Sequence, residues 1–343
     1  MCVLLVVSSR AHTQTPANCT PSGGLNFICG VQNPEDLVPI PNSRWLFASG
    51  MADGSGLHLI DTTAKRLSTL YGGGQGTARA DRTRFPNCPA PLDSKVAHLH
   101  GLSIRPASQG HYTLYATNHG GRESIEVFDV VATATPTATW IGCVVMPDKL
   151  PANSVAAFKD GTIVATVLIT PDKTFEDAFA GKITGAVYQW TPGSPGFRKL
   201  AGTELSANNG IETSDDDRAF FVVSTTTKRV LEFSRADPST PLRVAQLKEF
   251  GPDNIRLIGG RLITAGMIDN EPACGGAPKT ADGIRCSRGY IADAIDPKTM
   301  AVTEIARGPA TPAFTGTATA IPVGNELWLG SFNADRVAYR KYP

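Results

Sequence analysis

The residues of this chain best suited to binding a cation are a carboxylate and an amide that stand side by side, Asp253 and Asn254. The segment Phe250-Gly251-Pro252 precedes them, and glycine and proline at this point favour a turn. The sequence that follows predicts a strand over residues 255–268. Two oxygen donors at the start of a strand suit calcium, which takes about six to eight oxygen ligands. Taken alone, such a pair is also an ordinary turn former.

Polar side chains recur at comparable points along the chain, at intervals of roughly 50 residues. Each of them stands where a short apolar run is about to begin. This recurrence distinguishes them from isolated turn formers, because a repeated structural unit places such residues at equivalent positions. They are Glu35, His100, Asn153, Asn209, and the pair Asp253 and Asn254.

Short apolar or alternating runs separated by turn residues make up most of the sequence, and no long stretch has the period of an amphipathic helix. The runs group into six units with a period of roughly 45 residues and four short strands in each complete unit. This pattern predicts an all-β, six-bladed β-propeller with four-stranded blades around a central channel. A pair of β-sandwiches would explain the strands but not the period.

Residues 1–34 are predicted to be a leader and an N-terminal arm, and residues 35–343 a single propeller domain. The apolar run at residues 3–7 resembles a truncated secretion signal. The last unit is one strand short, and the arm could supply that strand. Two segments fit no blade, residues 72–97 and residues 269–288, and loops of this length are often functional lids.

The innermost strands of a propeller run along the central channel, so their starting points converge on one mouth. Five of the recurring residues carry oxygen donors, and their combined charge of −2 suits one Ca²⁺ with water or substrate completing its coordination. The alternative is a set of polar turn residues that face a water-filled channel. The five predicted ligands are Glu35, Asn153, Asn209, Asp253 and Asn254.

Three of the four histidines of the second unit are candidates for the site. His98 and His100 alternate along its first strand, so only one of them faces inward. His119 ends the second strand of the same unit, which makes His100 and His119 predicted neighbours. A histidine pair beside a metal ion is suited to proton transfer near neutral pH, so we assign both of them a catalytic role at this stage.

Charge and motifs exclude several classes of function. The formal net charge of the 343 residues is +1, which gives no electrostatic case for a nucleic-acid or anionic-membrane partner. Motifs of the type G-x-S-x-G or H-E-x-x-H and a dinucleotide fingerprint are missing from the sequence. No apolar stretch is long enough to be a transmembrane segment.

The chain has seven cysteines. Setting Cys2 aside leaves an even number, which fits three disulfides in a secreted or periplasmic protein. Cys274 and Cys286 enclose a segment rich in glycine, proline and aspartate and are the best candidate pair. Six reduced, buried thiols are the alternative.

The same residues resemble the paraoxonase/arylesterase branch of the calcium-dependent six-bladed propellers, within the SMP-30/gluconolactonase-like superfamily. The resemblance extends from Glu35 to the final unit, nearly the whole chain. The matching segments are Glu35-Asp36-Leu37 with Ile40-Pro41-Asn42, His100-Gly101-Leu102-Ser103, Asn118-His119, Ser124-Ile125-Glu126-Val127-Phe128, Asn153, Asn209-Gly210-Ile211 and Asp253-Asn254-Ile255.

The resemblance implies that the five oxygen donors are catalytic-calcium ligands and that His100 and His119 are the paired histidines of that branch. Members of that branch also carry a second, structural calcium, for which Asp36 and Leu102 are the candidate ligands here. Ser154 stands where the branch has a further aspartate, and this departure counts against the second ion.

Together these inferences predict a calcium-dependent hydrolase of lactones or aryl esters, acting on a small-molecule substrate. His100, assisted by His119, is the predicted general base, and the carboxylate of Glu35 or Asp253 is the alternative. Two rival functions remain: a non-catalytic propeller that binds a ligand, and a strictosidine-synthase-like enzyme on the same fold. The pair Asp253 and Asn254 argues against the second rival, because that group does not depend on this ligand set.

Overall fold

The computed structural model describes residues 19–74 and 78–342, and its regular structure is almost entirely β-strand. The first twelve strands are β1 (Asn26–Cys29), β2 (Leu37–Pro39), β3 (Trp45–Gly50), β4 (Gly56–Asp61), β5 (Arg66–Tyr71), β6 (Leu99–Ser108), β7 (His111–Asn118), β8 (Ser124–Val131), β9 (Thr137–Val145), β10 (Ala152–Ala157), β11 (Ile163–Val167) and β12 (Ala186–Trp190). The others are β13 (Arg198–Lys199), β14 (Asn208–Thr213), β15 (Ala219–Ser224), β16 (Arg229–Ser234), β17 (Pro241–Gln246), β18 (Phe250–Ile258), β19 (Arg261–Ile268), β20 (Tyr290–Ile295), β21 (Val302–Gly308), β22 (Thr317–Val323), β23 (Glu326–Ser331) and β24 (Arg336–Lys341). The helices are α1 (Phe175–Phe179) and the 3-10 segments Pro147–Lys149, Pro272–Cys274 and Asp282–Arg285.

The strands form six antiparallel sheets of four, and each sheet is one blade. Blades 1 to 5 are β2–β5, β6–β9, β10–β13, β14–β17 and β18–β21, each built from consecutive strands. Their first strands, with β22, contact one another in a ring around the central channel. The six-bladed, four-stranded propeller predicted from the sequence is therefore confirmed. Within the described residues, no helix is both long and apolar enough to span a membrane.

Blade 6 joins the two ends of the chain. Strands β22, β23 and β24 receive β1 as their outermost neighbour, with Asn26 paired to Tyr339 and Cys29 paired to Arg336. The N-terminal arm thus supplies the strand that the last sequence unit lacked. A disulfide between Cys19 and Cys29 lies within this arm.

The segment predicted as one strand over residues 255–268 is instead a hairpin of β18 and β19. Gly259 and Gly260 form its turn with φ values of +56° and +74°, a left-handed backbone that glycine adopts without steric cost. The strand also begins earlier than predicted, at Phe250, so Asp253 and Asn254 lie inside β18 rather than before it.

Aromatic side chains fill the spaces between blades. Tyr71 of blade 1 packs edge-on against Phe128 of blade 2 with ring centroids 4.9 Å apart. Between blades 6 and 1, the Lys65 ammonium lies over the rings of Trp328 and Tyr339 at 4.6 and 4.4 Å. These contacts bury apolar surface that a single twisted sheet could not cover alone.

The two insertions have different roles. In residues 78–97, Phe85 stacks on Trp190 at 5.9 Å, and Cys88 forms a disulfide with Cys143. This insertion therefore braces blades 2 and 3. In residues 269–288, the predicted disulfide between Cys274 and Cys286 is present. Inside that loop the buried Arg288 guanidinium donates to the carbonyl oxygens of Asp269 at 2.6 Å and Gly276 at 2.8 Å.

Candidate functional site

The innermost strands of blades 2 to 5 share an irregularity at the same point. Their pairing with the next strand is interrupted between Leu99 and Leu102, Ala152 and Val155, Asn208 and Ile211, and Pro252 and Ile255. The unpaired residues in these bulges include His100 and every predicted calcium ligand of these blades, Asn153, Asn209, Asp253 and Asn254. A β-bulge redirects a side chain that regular pleating would point elsewhere, so the bulges turn these residues toward the channel mouth.

Two glycines permit this close arrangement. A Cβ atom at Gly101 would lie 2.6 Å from the Asn153 carbonyl oxygen, and one at Gly210 would lie 2.6 Å from that of Asp253. Such distances are too short for any side chain, so each bulge packs its glycine against the backbone of the next blade. The glycine at these positions therefore brings successive site residues together.

Four of the five predicted calcium ligands present a buried oxygen that accepts no hydrogen bond. The Asn254 amide donates both hydrogens, at 2.7 Å to Glu35 Oε1 and at 3.0 Å to Thr319 Oγ1, which directs its oxygen away from them. Buried polar atoms without partners are rare, so several in one place indicate a missing ligand. The four atoms are Glu35 Oε2, Asn153 Oδ1, Asn209 Oδ1 and Asn254 Oδ1.

The electrostatics at the channel mouth also indicate a site for a cation. Burial raises the pKa of the Asp253 carboxyl well above its ordinary value, and the charge of Glu35 raises it further. A hydrogen bond with Asn209 opposes the shift. Two buried carboxylates without a cation repel each other, and a divalent cation among amide and carboxylate oxygens would remove that cost. The donor set therefore fits calcium, which prefers hard oxygen ligands.

A metal site built from several histidine, cysteine or carboxylate side chains would need a different set of residues. In residues 19–74 and 78–342, no group of three or more His, Cys, Asp or Glu side chains is arranged to hold a metal ion. The mouth contributes two carboxylates, Glu35 and Asp253, and its other predicted ligands are amides. Such a set is unsuited to zinc, which prefers nitrogen and sulfur.

The predicted histidine pair is in direct contact. His100 Nδ1 lies 2.9 Å from His119 Nε2, and His119 Nδ1 lies 2.8 Å from Glu123 Oε2. A carboxylate only accepts, so His119 donates to Glu123 through Nδ1 and, when neutral, accepts from His100 through Nε2. His100 then donates through Nδ1, which leaves its Nε2 free to accept a proton. His98 instead binds Asp53 at 3.0 Å, and its ring packs edge-on against that of His119 with centroids 5.4 Å apart.

The surroundings shift the two pKa values in opposite directions. Burial lowers the pKa of His100, but the charges of Glu35, Asp36 and Glu123 outweigh it, so the net shift is upward. His100 Nε2 lies 3.4 Å from Glu35 Oε2, which accounts for the largest of these charge effects. Burial lowers the pKa of His119 and dominates there, although Glu123 opposes it. His100 is therefore the stronger base of the pair.

The residues proposed for a second calcium meet beneath the mouth, but an arginine lies between them. The Arg256 guanidinium contacts the Asp36 carboxylate and donates to the Leu102 carbonyl oxygen at 2.7 Å. Burial raises the pKa of Asp36, and Arg256 opposes that shift. These groups do not fit a second calcium, because a fixed positive charge already satisfies them. Ser154, buried beside the predicted ligand Asn153, contributes no carboxylate.

A cavity of about 540 Å³ opens above the site, and Glu35, His100 and Asp253 form part of its floor. Its walls are mostly apolar. They come from α1, from the disulfide loop at residues 274–286 and from single residues of other blades. The larger apolar side chains are Met51, Leu168, Phe175, Phe179, Met267, Ile284 and Phe332.

The wall expected from residues 72–97 is not there. Of the described residues of that insertion, 72–74 and 78–97, none lines the cavity. The aromatic wall comes from α1, where Phe175 and Phe179 stand on one face of a five-residue helix. The loop at residues 269–288 does line the cavity, as its length suggested.

Sequence reasoning did not identify Glu123, Thr319 or Arg256 as parts of the site. Glu123 follows His119 by four residues, and this spacing was a usable signal. Arg256 is a charged residue in the otherwise apolar run Ile255 to Ile258, which was a second signal. Thr319 gave no such signal, since a buried threonine in a strand is common.

The chain is similar in fold to several solved structures. No family model matches it, and no curated protein matches its sequence. It aligns with a luciferin-regenerating enzyme at TM-score 0.54 and 14% identity, covering 92% of this chain and 93% of the other. A gluconolactonase from Xanthomonas campestris aligns at 0.53 and 15%, covering 98% and 99%. The calcium-binding protein regucalcin from Agrobacterium tumefaciens aligns at 0.51 and 13%, covering 92% and 94%. At such identities the shared property is the fold.

Proposed function

We infer that this protein is a calcium-dependent hydrolase of carboxylic esters, acting on lactones or aryl esters. The observation that carries this inference is the convergence of the unpaired buried oxygens of Glu35, Asn153 and Asn209 with His100, which is hydrogen-bonded to His119, on the floor of one apolar cavity. A non-catalytic binding propeller would need the cavity, but it would have no use for a base poised beside a cation site.

The five oxygen donors at the mouth would hold the ion. Calcium bound there supplies positive charge that polarises an ester carbonyl and stabilises an oxyanion. Glu35 and Asp253 match its two charges. Asn153, Asn209 and Asn254 add neutral oxygens and leave the ion short of its full coordination, so positions remain for water or substrate.

The histidine pair would move the proton. Water adds to the acyl carbon while His100 Nε2 accepts one of its protons, and His119 and Glu123 stabilise the resulting imidazolium through Nδ1. The bond from the acyl carbon to the leaving oxygen then breaks, and His100 returns the proton to that oxygen. The products are a carboxylic acid and an alcohol or phenol, joined in one molecule when the substrate is a lactone.

Glu35 is an alternative base. Its Oε2 accepts no hydrogen bond and lies 3.4 Å from His100 Nε2, so a water that contacts both atoms from the cavity side could lose its proton to either group. A carboxylate bound to calcium is a weaker base than a neutral imidazole near pH 7. We therefore place the base role on His100 and a water-orienting role on Glu35.

The cavity favours substrates with an apolar part. Phe175 and Phe179 from one side and Ile284 from the other enclose a space of about 540 Å³, enough for a small aromatic or alkyl group. The fold similarity to one protein named a gluconolactonase and to another described as calcium-binding supports this assignment.

The three disulfides also bear on location. Cys19–Cys29, Cys88–Cys143 and Cys274–Cys286 use every cysteine of the described residues. Disulfides of this kind persist in oxidising compartments and are rare in reducing ones. We propose that the protein acts outside the cytoplasm, as a secreted or periplasmic enzyme.

The direct test uses purified protein with one chromogenic aryl ester and one lactone. Hydrolysis is expected in the presence of calcium, to stop with a calcium-selective chelator and to return when calcium is restored. Magnesium should restore it poorly, because magnesium demands near-octahedral geometry and gives up its water reluctantly. Ligand binding without turnover of either substrate would favour the non-catalytic propeller.

A further inference from the structure

A buried arginine connects three blades directly beneath the candidate calcium site. Arg256 belongs to β18 of blade 5 and is only 3% exposed. It contacts the Asp36 carboxylate at the edge of blade 1 and the Leu102 carbonyl oxygen in blade 2. It also donates to the carbonyl oxygen of Ile255, at 2.6 Å, within its own strand.

Two of the three partners of this arginine adjoin a predicted calcium ligand. Asp36 follows Glu35, and Ile255 follows Asn254. The Asp36 carboxylate also accepts from the Leu102 amide at 2.7 Å, and its other oxygen lies 3.1 Å from Thr319 Oγ1. A displacement of Asp36 would therefore move the Glu35 carboxylate.

The buried charges of the channel lie in two layers, one at the mouth and one beneath it. Glu35 and Asp253 place two negative charges at the mouth, and Asp36 adds a third beneath them. The Arg256 guanidinium neutralises one of the three, so the buried set keeps a charge of −2 that one divalent cation matches. A second divalent cation would leave an excess positive charge in a buried environment, which is costly.

We propose that Arg256 is a built-in substitute for a second metal ion and a positioning residue for the first. On this proposal the folded chain binds one calcium, and the guanidinium holds Asp36, and through it Glu35, in the geometry that this calcium needs. The proposal rests on the proposed function only in taking the mouth as a calcium site.

The first measurement is the number of calcium ions bound by the purified wild-type protein, from calorimetric titration and from metal analysis after equilibrium dialysis. One ion per chain is expected. Two tightly bound ions would overturn the role of Arg256. Binding of none would instead contradict the calcium site itself, so the two failures are distinguishable.

The second measurement compares Arg256→Gln with the double variant Arg256→Gln/Asp36→Asn. The single variant leaves three carboxylates beside one calcium. We expect its calcium Kd to rise about 10- to 100-fold, the usual loss when a residue that orients a ligand is changed. A second, weaker calcium should also bind where the guanidinium was. The double variant restores the charge of −2 and should bind one ion again.

Arg105→Gln is the matched control. Arg105 lies on β6, donates to the Ala157 carbonyl oxygen at 2.5 Å and stands 3.9 Å from Glu212. It is another largely buried arginine near a carboxylate, and removing it should change neither the number of bound ions nor their Kd. If Arg256→Gln does not fold, Arg256→Lys keeps the charge and should bind one ion with a weaker Kd. An unchanged Kd and stoichiometry in every folded Arg256 variant would overturn the proposal.

Discussion

Two successive layers of the channel use similar oxygen donors but obtain their positive charge differently. At the mouth, Glu35 and Asp253 stand among asparagine side-chain oxygens that accept no hydrogen bond. One step below, Asp36 is paired with Arg256, which is part of the chain. The Arg256 guanidinium is covalently attached, so it cannot exchange with ions in solvent or coordinate a substrate oxygen. The lower layer is therefore suited to a structural role. A calcium ion taken up from solvent would keep coordination positions open for water or substrate, so the upper layer is suited to a catalytic role.

The most severe test of this contrast is removal of calcium. Exhaustive chelation should abolish hydrolysis because the upper layer loses its cation, while the lower layer keeps Arg256 and the propeller stays folded. Calcium at one hundred times its Kd adds about 2.7 kcal/mol to the free energy of unfolding, or about 4 °C in Tm for a chain of this length. Activity assays and thermal melts with and without chelator measure both effects. Full activity after chelation would show that the upper layer needs no exchangeable cation.

The next largest effect is expected from His100→Gln. Glutamine keeps a polar side chain but cannot take up a proton near neutral pH, so kcat should fall by a factor of about 10² to 10⁴. Calcium binding and Tm should change little, because His100 is not among the oxygen ligands. His111→Gln is the control, since this half-exposed histidine pairs only with Asp129 at 3.3 Å. A rate close to wild type on both substrate classes would move the base role to Glu35.

Glu123→Gln is expected to have an intermediate effect. The charge of Glu123 raises the pKa of both histidines, so its loss should lower both values. The base acts when unprotonated, and the rate therefore rises with pH through its pKa. In the variant this rise should move to lower pH. The plateau kcat should fall about 10- to 100-fold, because a glutamine amide can donate to His119 Nδ1 and favour the wrong tautomer. A pH–rate profile superimposable on wild type would contradict the role of Glu123 and His119 in supporting His100 as the base.

The smallest expected effect is in the cavity wall. Phe175→Ala should raise KM about 10-fold for an aryl or long-chain substrate, because the variant loses roughly 1.4 kcal/mol of apolar contact. KM for a small unsubstituted lactone should stay within about twofold. Ile183→Ala, at a position 59% exposed, is the matched control. Equal changes for both substrates would mean that α1 supports the fold rather than contacting the acyl group.

The sequence predicted the fold well because the propeller repeats a local pattern. Strand alternation and a regular period identify blades without knowledge of long-range contacts. The same period singled out the predicted ligands. The adjacency of the first two strands of one unit predicted the contact between His100 and His119, which is confirmed. The missing strand of the last blade was also inferred, since a ring of blades must close.

Interactions between distant segments were harder to predict. The Arg256 guanidinium contacts Asp36, which lies 220 positions away in the sequence, and no local pattern predicts that contact. Bulges at Asp253 and Asn254 depend on the approach of a neighbouring blade, so the sequence suggested a strand start instead. The insertion at residues 72–97 was expected at the cavity, but Phe85 finds its partner on the side of blade 3.

The pairing of β1 with β24 has a consequence for the order of folding. Asn26 and Tyr339 stand at opposite ends of the chain, and closing so long a loop costs about 4 kcal/mol more than closing a hairpin. Blades that fold from consecutive strands should therefore form first, and the join between the two ends last. The Glu35 carbonyl oxygen accepts from Thr319 Oγ1 of blade 6 at 2.9 Å, so the position of Glu35 depends on contact between the first and last blades. We therefore expect the proposed calcium site to be complete only after the ring closes, and a chain whose ring is still open to bind calcium weakly.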